Sequence, residues 1–159
     1  MGLDVYASRF EELNLEPASF DLVTLWGVLE HVSNPRDFLS GARRLLKPAG
    51  LLALQTPNQG SLITLLAAVG YSLSAGRYLL PVYSHEHLFR FDEKALRRLL
   101  AWTGFETLRI EQYDNLHVML TRMSLAPHAF LRKVVLAVIH LLAAWIGRRN
   151  QLLAYARPM

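Results

Sequence analysis

Carboxylate and histidine side chains that could carry out chemistry are concentrated at two places in the sequence. Glu30 and His31 directly follow an apolar segment. His85 and His87 form a second group further along the chain. Histidine exchanges a proton near neutral pH, so His31 and His87 are candidate general bases. A lone histidine at the start of a helix is often structural instead, and both interpretations stay open here.

The same residues carry the ligand types that several divalent metals accept, namely carboxylate oxygen and imidazole nitrogen. The fold could assemble one metal site from Glu30, His31, His85 and His87. Their spacing, however, matches no diagnostic metal-binding motif. The sequence therefore predicts no bound metal.

Apolar strand candidates must position these side chains. Phe20–Leu25 is almost entirely apolar, which is the pattern of a parallel strand covered on both faces. Leu51–Gln55 has the same character and ends at Thr56-Pro57-Asn58. Further strand candidates are Leu3–Tyr6, Thr107–Gln112 and Gln151–Ala156.

Helices are predicted between these strands. Ser33 or Asn34 can cap a helix that begins at Pro35 and ends before Pro48. Asp92 can cap another, which ends at Gly104. The residues of that second helix expected to face inward are Ala95, Leu96, Leu99, Leu100 and Trp102. Strand-like and helix-like periods alternate, so the fold is expected to be α/β.

The composition excludes several other classes of protein. At 159 residues and 52% hydrophobic content, the chain can form one domain with its own core. The net charge is +4, but the basic residues are scattered without interleaved aromatic residues, so no nucleic-acid partner is expected. The absence of cysteine excludes disulfides and thiolate chemistry and fits a cytoplasmic protein. The first residues lack the pattern of a signal peptide.

One apolar stretch, Leu62–Tyr83, is interrupted by Gly70, Gly76 and Pro81. It breaks before the roughly twenty uninterrupted apolar residues of a transmembrane span accumulate. Two interpretations remain for it, a lid over a lipophilic substrate and ordinary packing in the core.

A second apolar stretch, Pro127–Ile146, is predicted to be a helix whose apolar side is broader than a surface helix needs. One side of it gathers Arg132, Lys133, Leu136, His140, Ala143, Ala144 and Gly147. The broad apolar remainder includes Leu131, Val134, Val138, Leu141, Leu142 and Trp145. The helix could lie in a membrane interface, pack on a partner or cover the lid. Arg148-Arg149 at its end favours membrane-surface contact through residues 127–149.

Several segments, taken in order, resemble the motifs of one enzyme family. They are residues 20–32 (FDLVTLWGVLEHV), 45–52 (LLKPAGLL), 56–58 (TPN), 85–91 (HEHLFRF) and 104–105 (GF). They resemble class I S-adenosylmethionine-dependent methyltransferases, in particular the small-molecule type 11/12 and ubiquinone-biosynthesis-like enzymes. Ala49 stands where that family usually has glycine.

The resemblance implies a partial Rossmann-like methyltransferase sheet that starts at the family's third strand and is mostly parallel, with an antiparallel C-terminal strand. Residues 1–159 would form a single incomplete domain, with an apolar helical lid at about 60–84 and a C-terminal amphipathic helix at about 127–147 before a last strand at 151–156. The strand missing beside Phe20–Leu25 would leave an open edge, through which the chain could self-associate.

Ligands of such sheets lie at the carboxyl ends of the strands. The residues that the resemblance places at the cofactor are Arg9, Phe10, Leu25, Trp26, Gly27 and Glu30. Phe10 fits an apolar face on the adenine and fits core packing equally. The family's glycine-rich cofactor turn has no counterpart in the sequence, so S-adenosylmethionine is expected to bind this chain alone weakly or not at all.

The function that the resemblance implies is methyl transfer from S-adenosylmethionine to a small, lipophilic molecule, with His31 and His87 as the catalytic candidates. The alternative is a truncated or degenerate fold without catalysis, which acts as a membrane-surface or partner-binding module. Both fit a cytoplasmic protein, and the second places it at the inner face of the membrane.

Overall fold

A computed structural model describes residues 2, 4–7, 14–70, 87–116 and 127–159. The elements in these ranges are β1 (Phe20–Trp26), α1 (Pro35–Leu45), β2 (Leu46–Pro57), α2 (Leu62–Gly70), α3 (Glu93–Trp102), β3 (Phe105–Tyr113), α4 (Pro127–Trp145) and β4 (Gln151–Pro158). The four strands form one sheet in the order β1-β2-β4-β3. β1 and β2 are parallel, and β4 is antiparallel to both β2 and β3. The predicted α/β sheet with an antiparallel last strand is confirmed.

β1 confirms the strand predicted for Phe20–Leu25, but the burial expected for it was wrong. Phe20 and Leu22 are exposed, and among the side chains of β1 only Leu25 is buried. The exposed residues Phe20, Leu22, Thr24 and Trp26 alternate along β1 and so share one face, whereas Leu25 on the opposite face packs into the core. Within the described residues β1 pairs with β2 alone, so its outer edge is unpaired there. The strand predicted at Leu3–Tyr6 was also wrong for the described residues Asp4–Tyr6, which are exposed and form no strand ladder.

α1 begins where the sequence predicted. The side chain of Asn34, rather than Ser33, accepts a hydrogen bond from the backbone N–H of Asp37 at 3.2 Å, and Pro35 occupies the first turn. The helix ends earlier than expected, because residues 46–50 extend β2 along β1, with Leu46 opposite Phe20. This pairing lies between distant segments, so a local stop pattern does not predict it.

α3 is capped by Asp92, which accepts the N–H of Ala95 at 2.7 Å, as predicted. Leu96 and Leu100 are buried, but Ala95 and Trp102 are exposed, and their predicted inward orientation was wrong. Trp102 is two residues from Leu100, about 200° around a helix, so it lies on the opposite side. Gly104 ends the helix with a φ of +78°.

α4 turns its broad apolar side away from the sheet. The exposed apolar residues at and after this helix are Phe130, Val134, Val135, Val138, Leu141, Leu142, Trp145 and Ile146. Among its described side chains, only His140 and Ala143 are buried. None of the helices in the described ranges is long and apolar enough to cross a membrane. Of the predicted lid, α2 is described, whereas residues 71–84 lie outside the described part of the chain.

The hydrophobic core lies between the sheet and helices α1 and α3, and its central strand is β2. Leu52 and Leu54 are completely buried there. We expect Leu54→Ala to lower the free energy of unfolding by about 2–5 kcal/mol, because it removes buried methyl groups and leaves a cavity. Leu22→Ala on exposed β1 is the matched control and should cost less than about 1 kcal/mol. Urea denaturation of both variants measures this, and equal losses would contradict the assigned core.

Candidate functional site

The parallel strands β1, β2 and β3 end at the same edge of the sheet, and the predicted site residues follow β1 there. Gly27 has a φ of +63°, a conformation that favours glycine, and its N–H donates to the carbonyl of Gln55 at 3.1 Å. Trp26, the last residue of β1, has an exposed side chain. A Cβ added to Gly27 would lie 3.7 Å from Glu30 Oε1 and 3.8 Å from Gln55 Oε1. Two acceptor oxygens therefore face the space beside Gly27.

Glu30 is the buried centre of the site, with 3% of its surface exposed. Its Oε2 accepts a hydrogen bond from the hydroxyl of Thr56 at 3.0 Å. Its backbone carbonyl accepts the N–H groups of Leu88 at 2.9 Å and Phe89 at 3.1 Å. These backbone bonds hold the segment that begins at His87 against the turn after β1.

His31 and His87 lie side by side as a result. Their ring centroids are 4.8 Å apart, and the rings meet edge to face at 73°. A carboxylate oxygen of Glu30 and one ring nitrogen each of His31 and His87 lie within 4.8 Å of one another. Such a cluster can accept a proton from a bound molecule or hold a divalent cation.

The structure brings together four of the predicted site residues, namely Gly27, Glu30, His31 and His87. The side chain of Leu25 points into the hydrophobic core, so only its backbone can meet a ligand at this edge. Arg9, Phe10 and His85 lie outside the described residues.

Polar residues that sequence reasoning did not select continue along the same edge. Beside Gly27, the amide of Gln55 donates to the side chain of Gln151. Asn58, buried directly after β2, donates to Gln112 at 3.2 Å and to the carbonyl of Arg149 at 2.7 Å. Burial raises the pKa of the Tyr113 phenol at the end of β3. Asn58 belongs to the TPN motif, which was the only sequence indication for this row.

The side chains present fit one part of an S-adenosylmethionine molecule. Oxygens of Glu30 and Gln55 lie close to the position that a side chain at Gly27 would take, and such acceptors suit the amino group of the methionine part. Exposed Trp26 offers an apolar face next to them. When bound, this cofactor supplies a methyl group that is already activated for transfer.

A protein-family model described as a methyltransferase domain matches residues 4–110 of the chain. The ubiquinone biosynthesis O-methyltransferase of Paracidovorax citrulli is 41% identical over 85 residues, covering 50% of this chain and 35% of that protein. The enzyme of the same name from Xanthomonas euvesicatoria is 36% identical over 115 residues, covering 72% and 46%. The chain thus spans less than half the length of these relatives.

Solved structures share the fold. A Thermotoga maritima S-adenosylmethionine-dependent methyltransferase, described as a possible histamine N-methyltransferase, has a TM-score of 0.62 at 17% identity, covering 96% of this chain and 62% of its own. A Burkholderia thailandensis 1,6-didemethyltoxoflavin-N1-methyltransferase, solved with bound 1,6-didemethyltoxoflavin and S-adenosylhomocysteine, has a TM-score of 0.54 at 16% identity, covering 97% of this chain and 50% of its own. The chain belongs to the class I S-adenosylmethionine-dependent methyltransferases, and the resemblance found in its sequence is confirmed.

Proposed function

We propose that this chain forms the acceptor-side part of an enzyme that transfers a methyl group from S-adenosylmethionine to a small, lipophilic molecule. The observation that carries the proposal is the cluster of Glu30, His31 and His87 at the end of β1, beside Gly27. The family match supports the reaction type. The names of the relatives, ubiquinone biosynthesis O-methyltransferases, support a hydroxyl oxygen on a lipophilic acceptor.

His31 and His87 would take the proton that the acceptor hydroxyl loses during the transfer. Methyl transfer is an in-line displacement, so the enzyme must mainly align the acceptor and remove its proton. The hydrogen bonds from Leu88 and Phe89 to the Glu30 carbonyl keep His87 next to His31. The hydroxyl of Thr56 donates to the Glu30 carboxylate and keeps it in place beside the two rings.

A chimera tests this function. In it, this chain replaces the matched region of the Xanthomonas relative, and the remaining segments come from that relative. We expect the chimera to transfer labelled methyl groups from S-adenosylmethionine to the acceptor of that relative. A chimera that folds and binds the cofactor, yet methylates neither this nor other lipophilic hydroxyl compounds, would contradict the proposal.

α4 favours a second function, binding to an anionic membrane surface. Its exposed side includes Leu141 at 70% and Trp145 at 85% exposure, and it is followed by Arg148 and Arg149. The helix itself contains no acidic residue. An apolar helix face with basic residues at its end is the pattern of an interfacial helix. This contact would place the protein at the inner face of the membrane, where a lipophilic acceptor is concentrated.

Sedimentation with phosphatidylglycerol vesicles measures this second function. We expect the chain to bind, and the double variant L141S/W145S to lose at least about tenfold in partitioning, because two large apolar side chains no longer enter the bilayer. Trp102→Ser on α3, which removes another exposed tryptophan, is the matched control and should bind like the unchanged chain. Equal binding of all three proteins would exclude α4 as the contact.

Among the described residues the outer edge of β1 is unpaired, which supports a further proposal, self-association through the sheet edge. An exposed apolar edge strand can pair with another copy of itself. Sedimentation velocity at increasing protein concentration should show a dimer. Leu22→Lys should weaken this dimer at least about tenfold, because it places the like charges of two lysines, one from each copy, close together. A monomer throughout the concentration range would contradict this proposal.

A further inference from the structure

A second histidine–carboxylate pair lies at the same edge of the sheet, away from Glu30. Nδ1 of His140 on α4 is 2.9 Å from Oδ1 of Asp114, which directly follows β3. The His140 side chain is 3% exposed and that of Asp114 is 15% exposed. The same Asp114 oxygen accepts the backbone N–H of Asn150 at 3.1 Å. An ionised carboxylate can only accept, so Nδ1 of His140 carries the proton of this hydrogen bond.

The other ring nitrogen of His140, Nε2, lacks a partner among the residues that the structure describes. Within the described part of the chain, His140 Nε2 is buried and makes no hydrogen bond. When Nδ1 holds the proton of a neutral imidazole, Nε2 is an acceptor with a free lone pair. Buried polar atoms are nearly always hydrogen-bonded, because an unsatisfied one is costly. We propose that Nε2 of His140 accepts a hydrogen bond from a hydroxyl group of a small-molecule ligand.

The position of the pair specifies which part of the ligand it contacts. Asp114 follows β3, which is three strand spacings from β1 in the sheet, or about 14 Å. A molecule whose reacting oxygen lies beside His31 would have to be elongated to reach His140. The hydroxyl bound by His140 is therefore a distal group of the ligand and does not receive the methyl group. This placement rests on the proposed methyl transfer, whereas the recognition of a hydroxyl does not.

Thin packing of α4 gives the ligand access to this nitrogen. Only His140 and Ala143 are buried among the described side chains of the helix, and most of its apolar residues face outward. An exposed turn at Gly147 follows the helix, and a Cβ added to Gly147 would have no atom within 4 Å. Because so few side chains of α4 pack against the sheet, small side-chain displacements can admit a small ring at Nε2 while His140 stays bonded to Asp114.

Two substitutions separate ligand recognition from a structural role. In His140→Asn, the amide nitrogen lies where Nδ1 was, so the hydrogen bond to Asp114 is kept and the Nε2 acceptor is lost. In His140→Gln, the amide oxygen can replace Nε2 as an acceptor, while the bond to Asp114 is lost. A purely structural histidine would tolerate asparagine better than glutamine. A ligand-binding histidine shows the opposite preference in ligand affinity.

The experiment compares phenol with methoxybenzene, the same ring with and without a hydroxyl donor, by ¹⁵N NMR of the histidine rings in the whole chain. We expect phenol to shift the Nε2 resonance of His140 and to bind at least about tenfold tighter than methoxybenzene. His140→Gln should keep this preference and His140→Asn should lose it.

Equal affinities for the two compounds, an unshifted Nε2 resonance, or an unchanged preference in His140→Asn would overturn the proposal. The comparison of the two compounds on the unchanged chain remains decisive if a variant fails to fold. The measurement requires neither cofactor nor methyl transfer, so a chimera without activity would leave its outcome unaffected.

Discussion

S-adenosylmethionine titrated into this chain alone is expected to bind with a dissociation constant weaker than about 1 mM, which corresponds to less than about 4 kcal/mol of binding free energy. The described site offers acceptors beside Gly27 but no row of backbone N–H groups on a glycine-rich turn. None of the nine glycines in the sequence lies two residues from another, so the G-x-G spacing of such a turn is absent. Isothermal titration calorimetry makes this measurement.

The chimera with the Xanthomonas relative is the positive control for this titration, because it adds the segments that the match leaves uncovered. We expect it to bind the cofactor at least about 100-fold more tightly than the chain alone, which is about 2.7 kcal/mol. Micromolar binding by the chain alone would refute the prediction. It would mean that the residues around Gly27 hold the cofactor without a glycine-rich turn.

Loss of the catalytic base is expected to have the largest effect on the reaction. In the chimera, His31→Gln or His87→Gln should lower kcat by about 100- to 10,000-fold, depending on which ring takes the proton, because the acceptor hydroxyl then loses its general base. The KM for S-adenosylmethionine should change little, since neither ring is needed to hold the cofactor. Initial rates with labelled cofactor at several pH values measure both constants.

Ser33→Ala is the matched control for these variants, because Ser33 is exposed and lies two residues from His31. It should keep the full rate. If both histidine variants also keep it, the cluster around Glu30 is structural. If a chelator abolishes the rate of the unchanged chimera and added divalent metal restores it, the cluster binds a metal and the expectation of no metal was wrong.

Much of the fold could be predicted because its determinants are local. Asn34 and Asp92 cap their helices with side-chain oxygens that bond N–H groups three residues ahead, and such bonds depend only on nearby sequence. Burial was predicted less well. The exposure of Phe20 and Leu22 depends on whether another layer covers their face of the sheet, and an apolar sequence alone does not report that.

The candidate site divides in the same way. Gly27, Glu30 and His31 are close in sequence, and the motif that contains them indicates the family together with the motifs that follow it in order. His87 joins them only through the backbone bonds of Leu88 and Phe89 to Glu30, which link segments nearly sixty residues apart. The sequence grouped them only as ligand types that suit one metal site, and their spacing does not require the contact.

His140 and Glu30 show which features the sequence determined and which features depend on the tertiary structure. The sequence by itself determined the methyltransferase class and the broad apolar side of α4, because motifs and helical periodicity are properties of consecutive residues. Only the tertiary structure paired His140 with Asp114 and buried Glu30 against Thr56. These contacts join residues 26 positions apart across different elements, so they exist only after the strands and helices have packed together.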